Sequence, residues 1–172
     1  MRSLILPVLA ALVVTTAPLA LHAADPAAKV AVVHFSKLTP FLGDVAGWEA
    51  EKVQGQTVDA GGLKLTTAER EYRKGDASVK VHLMDYSESA PMLQAITAMW
   101  AFSSETTEGY QKGVTIEGAK GMETYENAPK KGTVVLLVAG RYLLQIETQG
   151  LAAADMQAWV KRIDLRKLAD VK

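Results

Sequence analysis

The clearest periodicity in the chain is a two-residue alternation. Val79, Val81 and Leu83 are apolar, and Lys80, His82 and Met84 occupy the positions between and after them. Period two with one apolar face predicts a strand over 78–86 whose second face is wet or loosely covered. A partner strand is expected over 66–73, with Lys74, Gly75, Asp76 and Ala77 as the turn. The stretches TVVLLV at 133–138 and RYLLQIET at 141–148 give the strongest hairpin signal, joined at Ala139 and Gly140. TVVLLV is apolar on both faces, which argues for a central strand. Met156, Trp159, Val160 and Ile163 recur at helical spacing and mark one face of a helix. Asp164 is expected to cap a final short turn in which Leu165 and Leu168 dock.

Other segments carry weaker patterns. Residues 30–35 read as strand or helix. Ser36 is expected to cap a short helix with Leu38, Phe41 and Leu42 on its apolar side, ended by the stretch from Gly43 to Gly47. Trp48 opens a strand-like segment. Residues 54–62, with Gly55, Gly61 and Gly62 among polar neighbours, read as a loop or loose hairpin. Ser89 is predicted to cap a helix running to about Phe102, with Pro91 in its first turn. Residues 103–109 read as a polar loop and Val114 with Ile116 as a short strand. Residues 118–121 read as a turn or bulge, 122–126 as a strand and 127–132 as a turn. Strands joined by short turns and interrupted by helices give an α+β class: a mostly antiparallel sheet with two main helices packed on one face.

The first residues follow a different logic. Arg2 precedes an apolar stretch over 4–14, then come Pro18 and small residues ending Leu21-His22-Ala23. This is the layout of a secretory signal peptide over 1–23, with cleavage after Ala23. An uncleaved membrane anchor is the alternative. The short apolar core, Pro7, Pro18, Thr15 and Thr16 argue against it. Residues 24–35 are then an N-terminal lead and 36–172 a single domain, exported to the periplasm and soluble after cleavage, with no stable membrane anchor.

Composition narrows the function. The 172 residues suit one domain, and 49% hydrophobic with 22% charged residues is ordinary globular usage. Nineteen basic residues balance 19 acidic ones, which removes any bulk electrostatic case for nucleic acid. With no cysteine, thiol catalysis, cysteine-based zinc sites, disulfides and thiolate-anchored lipid are excluded.

PFLGDVAGW, AEREYRKGDASVKVHLMDYSESAPML, GVTIEGAKGMETYE and GRYLLQIETQG resemble small exported bacterial proteins of unknown function, and their layout is similar to the PsbP/Mog1-like α+β sandwich. The likeness spans about Leu38 to Leu168. Its motifs are structural: a tryptophan after a glycine, an Arg-x-Tyr strand, an Asp-ended strand before a helix and a Gly-Arg hairpin. The resemblance implies an assembly, binding or accessory role and transfers no site residues.

Candidate chemistry is sparse. Two histidines, His34 and His82, follow the signal, without HExxH or paired-histidine spacing, so no metal and no cofactor are expected. His82 reads as an exposed strand histidine, with Glu69 and Glu71 across the hairpin. The enzymatic alternative is a small hydrolase using His82 with Asp85 or a glutamate. Ser87 and Ser89, near Asp85 and Glu88, read as helix-start residues, and G-x-S-x-G is absent. Lys161, Arg162, Arg166 and Lys167 read as cations offsetting helix ends, with weak contact to anionic phospholipid as the alternative.

Residues 90–102, APMLQAITAMWAF, stand apart. They carry no charge, and only Gln94 and Thr97 are polar. One stripe holds Met92, Ala95, Met99 and Phe102; another holds Leu93, Ile96 and Trp100. A helix lying on a sheet needs one apolar stripe, and here apolar residues wrap most of the way round. Plain core, covered on both sides by residues 30–42, is one reading. The other is a contact surface, with Met92, Leu93, Met99, Trp100 and Phe102 as the binding residues. The function expected is therefore a non-enzymatic binding or envelope-accessory protein, whose partner is a protein or an apolar small molecule; a carrier of an apolar ligand is the further alternative.

Overall fold

The computed structural model describes residues 30–61 and 63–172. The signal peptide expected over 1–23 and most of the lead lie outside the described residues. Among the described residues, no helix is long and apolar enough to cross a membrane.

The described residues form one antiparallel sheet of nine strands. In chain order these are β1 (Glu49–Ala50), β2 (Gln54–Ala60), β3 (Leu63–Lys74), β4 (Ala77–Asp85), β5 (Ser104–Glu105), β6 (Gly109–Ile116), β7 (Ala119–Glu126), β8 (Lys131–Val138) and β9 (Tyr142–Gln149). Three helices join them: α1 (Ala90–Ala98), α2 (Ala153–Val160) and α3 (Leu165–Ala169). The spatial order is β1-β3-β4-β9-β8-β7-β6-β5, with β2 also pairing along β3. β9 is therefore central, held by β4 on one side and β8 on the other. The connection from β4 to β5 and β6 must cross the sheet, and α1 lies on that crossover.

Alternation along the strands sorts the two faces. Val79, Val81 and Leu83 of β4 share a buried face with Val134, Leu136 and Val138 of β8 and with Leu144 and Ile146 of β9. Met156, Trp159 and Val160 of α2, then Leu165 and Leu168 of α3, cover that face. Leu38 and Leu42, from two 3-10 turns at Phe35–Lys37 and Thr39–Phe41, complete the same cluster. Tyr72 and Trp48 meet Trp159 at ring separations of 5.0 and 4.9 Å. Aromatic contacts of this kind add to area burial.

α1 is placed differently. Its 3-10 extension, Met99–Ala101, comes against β6 rather than the core cluster. A Cβ on Gly113 would stand 2.7 Å from the Trp100 carbonyl oxygen, so glycine at this position permits the close approach. Gly113 and Thr115 alternate with Val114 and Ile116, which join the core side. The contacts thus do not show both main helices on one face: α2 covers the core face, and the end of α1 meets the other. The reason is topological, because the crossover has to pass over a sheet whose core face is already occupied by α2 and α3.

Several local expectations change. Residues 54–60 are strand β2, paired with β3 from Gln54–Glu69 to Ala60–Leu63, not a loop. The Trp48 segment contributes only the two-residue β1. The 103–109 loop contains β5, and Asn127 donates from its side chain to the Thr107 carbonyl at 3.0 Å. His34, not Ser36, caps the first 3-10 turn, its Nδ1 accepting from Ser36 N at 3.3 Å. Ser89 precedes α1 without a side-chain cap, and its Oγ is buried without a partner. Asp164 caps α3 as expected, accepting from Lys167 N at 2.9 Å.

Candidate functional site

The uncharged segment divides cleanly in the structure. Met92, Ala95, Met99 and Phe102 are all exposed, with Met99 at 62% and Phe102 at 61%. Leu93 is buried, and Ile96 and Trp100 are half-buried. The two stripes read from spacing are therefore an outer and an inner face. Burial of a large apolar side chain is worth about 1.5–3 kcal/mol, so this outer stripe forgoes several such contributions. Burial of the whole helix on both sides by residues 30–42 is not what the structure shows. Leu38 and Leu42 serve the main core instead.

Beside the inner face lies an open cleft of about 590 Å³. Thr97, Trp100 and Ala101 form one side of it; Thr115, Lys120 and Leu137 are among those that form the other. The register explains this grouping, because Lys120 faces Thr115 on β6 and Leu137 on β8. Lys120, Thr115 and Leu137 are the cleft residues that the sequence pattern does not single out. Their only signal was their parity, opposite to the core positions of their strands.

At the start of α1 sits a buried charge network. Asp85, fully buried, accepts from Arg141 Nη2 at 2.6 Å and Nε at 3.2 Å. It also accepts from Val33 N at 2.8 Å and from Ser87 N and Oγ at 3.0 and 2.8 Å. Arg141 Nη2 donates onward to the Ala31 carbonyl at 3.2 Å. Ser87 is thus committed to Asp85, not to a histidine.

His82 belongs to the opposite face. Its Nδ1 lies 3.1 Å from Glu69 Oε2, and Lys80 Nζ lies 3.6 Å from the same oxygen. Strand alternation separates His82 from Asp85, so these two are not brought together. His82 is half-buried, not fully exposed, and a glutamate rather than Asp85 is its partner. Burial and then Lys80 push its pKa below the ordinary 6.5, while Glu69 and Glu147 oppose the shift. The unfolded chain therefore takes up a proton before the folded one does. This contribution to stability is complete above 6.5 and is lost as pH falls below it. An NMR titration of the imidazole is expected to place His82 below 6.5, with Glu69→Gln moving it lower and Lys80→Met higher. A value at or above 6.5 would contradict this electrostatic account.

A second buried carboxylate, Glu123, accepts from the Tyr110 hydroxyl and from Gln157 Nε2, the latter at 2.7 Å. Lys112 Nζ lies 3.4 Å from Glu123 Oε1 and 4.4 Å from the Tyr110 ring centroid. Among the described residues, no group of three or more His, Asp or Glu side chains gathers as a metal site.

Comparison with protein-family models, with curated protein sequences and with solved structures gives no match.

Proposed function

We propose that this chain is a non-enzymatic binding or accessory protein of the bacterial periplasm, with the outer edge of α1 as its contact surface. The observation that carries the reading is the exposure of Met99 and Phe102 beside a cleft lined by Trp100. Monomeric proteins seldom leave neighbouring large apolar side chains in water unless something binds there. Methionine suits such a surface, because its flexible thioether adapts to differently shaped partners. The signal-like first 23 residues and the PsbP-like resemblance belong to the same proposal. In it the helices divide the labour. α2 and α3 seal the core, and α1 rides the other side of the sheet, free to present its outer stripe.

A second reading, a carrier of an apolar small molecule, is favoured by the cleft itself, whose volume falls within the range of about 300–1,000 Å³ common for ligand sites.

The test is native mass spectrometry of protein purified from its host, alongside the same protein carrying Met99→Asp or Trp100→Ala. A bound mass or partner is expected on the wild type. Met99→Asp is expected to weaken that association by about tenfold or more, as for an interface centre. Because Met99 is exposed, folding stability should stay within about 0.5 kcal/mol. Association undisturbed by folded Met99→Asp and Trp100→Ala variants would sink the assignment to this edge, as would a clean wild-type monomer with no bound mass.

A further inference from the structure

We propose that the cleft between Trp100 and Leu137 takes an amphiphilic anion: an unbranched alkyl chain ending in a single carboxylate, with Lys120 binding the carboxylate. The inference rests on the binding role given to the α1 edge and names the ligand class for that site.

Three observations lead to it. The first is the wall. Trp100, Ala101 and Leu137 supply apolar surface, and only Thr97 and Thr115 add hydroxyls beside them. Such a wall suits an alkyl chain and offers little to a sugar or a nucleotide. The second is charge. Lys120 is the one charged residue lining the cleft, and no aspartate or glutamate lines it. The third is the state of that lysine. Lys120 is exposed and, like most lysines among the described residues, forms no ion pair there; its place in the cleft is what distinguishes it. A cation among apolar lining, with no carboxylate beside it there, is complementary to an anion carried on an apolar chain. One ammonium matches one negative charge; a phosphate or a diphosphate calls for several donors or an arginine fork.

The experiment compares sodium decanoate with decan-1-ol, which has the same chain without the charge. Affinity is read by calorimetry, and the indole N–H resonances of Trp48, Trp100 and Trp159 report the location. The Trp100 resonance is identified with Trp100→Phe. Decanoate is expected to shift Trp100 and to leave the buried Trp159 and the half-buried Trp48, which packs on it, in place. Lys120→Met, confirmed folded by circular dichroism, is expected to weaken decanoate about three- to fivefold, the upper part of the range for one solvent-exposed ion pair, and to leave decanol unchanged. Added salt should weaken decanoate alone. Equal binding of decanoate and decanol, unaffected by Lys120→Met, would overturn the anion anchor and leave the α1 edge standing as a contact surface. No shift of Trp100 with either compound would overturn the ligand class. The Met99→Asp association experiment would then still decide the contact surface, because it uses no alkyl probe.

Discussion

Replacing Arg141 with alanine is expected to destabilise the fold by about 3–5 kcal/mol, the usual cost of leaving one member of a buried ion pair without its partner. Asp85 has no route to water, and Arg141 provides two of its hydrogen bonds through Nε and Nη2. The Val33 and Ser87 amides that remain cannot neutralise the charge. Asp85→Asn should cost less, because it removes the buried charge and leaves the guanidinium, whose side chain is 14% exposed, to be partly solvated. The double variant Asp85→Leu with Arg141→Met should recover part of the loss, as matched apolar replacements of buried pairs commonly do. Urea denaturation measures all three. The same guanidinium holds the Ala31 carbonyl, and Asp85 holds the Val33 amide, so the lead segment is tied down by this pair. Arg141→Ala should therefore also abolish hydrogen-exchange protection at the Val33 amide. A loss below about 1 kcal/mol, or retained protection at Val33, would show that the pair does not fasten the lead.

How much of this could be read in the chain depends on whether the deciding contact is local. The β8–β9 hairpin was legible because TVVLLV and RYLLQIET alternate on a core face and still carry Leu137 and Leu143 on the other. β4 was legible from three alternating apolar residues. The two stripes of α1 were legible from spacing alone, although which one faced water was not. β2 was hidden: QGQTVDA has a glycine, an aspartate and few apolar positions, and it becomes a strand because β3 offers it an edge. Gly55 on that strand leaves room for the Phe35 ring, whose Cδ2 would stand 2.8 Å from an added Cβ. The Asp85–Arg141 pair was hidden for a similar reason. It spans 56 residues and exists because Asp85 stands opposite Tyr142 in the β4–β9 register. The cleft depends on a longer reach still. Nothing local to 90–102 says that the crossover will end over Gly113 and Lys120.

Glu123 sets the second large effect. Glu123→Ala is expected to cost about 2–4 kcal/mol, because the Tyr110 hydroxyl and the Gln157 amide both lose a buried acceptor and Lys112 loses its counter-charge. The loss should be local before it is global. Tyr110 and Lys112 are on β6, so their fastening to Glu123 on β7 secures the strand that borders the cleft. Amide exchange should accelerate in β6 more than in the central β9. Tyr110→Phe separates the hydroxyl from the rest of the network and carries a pH signature. Burial, then the bond to Glu123, hold the Tyr110 hydroxyl well above its ordinary value of 10.0. The unfolded chain therefore releases this proton first, and the stabilisation is complete below 10.0 and is lost as pH rises above it. Burial also raises Tyr72, Tyr86 and Tyr142, so the wild-type protein should lose stability steeply above pH 10.0. Tyr110→Phe should make that alkaline limb shallower while lowering stability at neutral pH. Urea midpoints from neutral pH into the alkaline range measure both effects. An unchanged alkaline slope in Tyr110→Phe would mean that the Glu123 contact does not hold the phenol in its protonated form, and would remove the reason to treat this cluster as the anchor of β6.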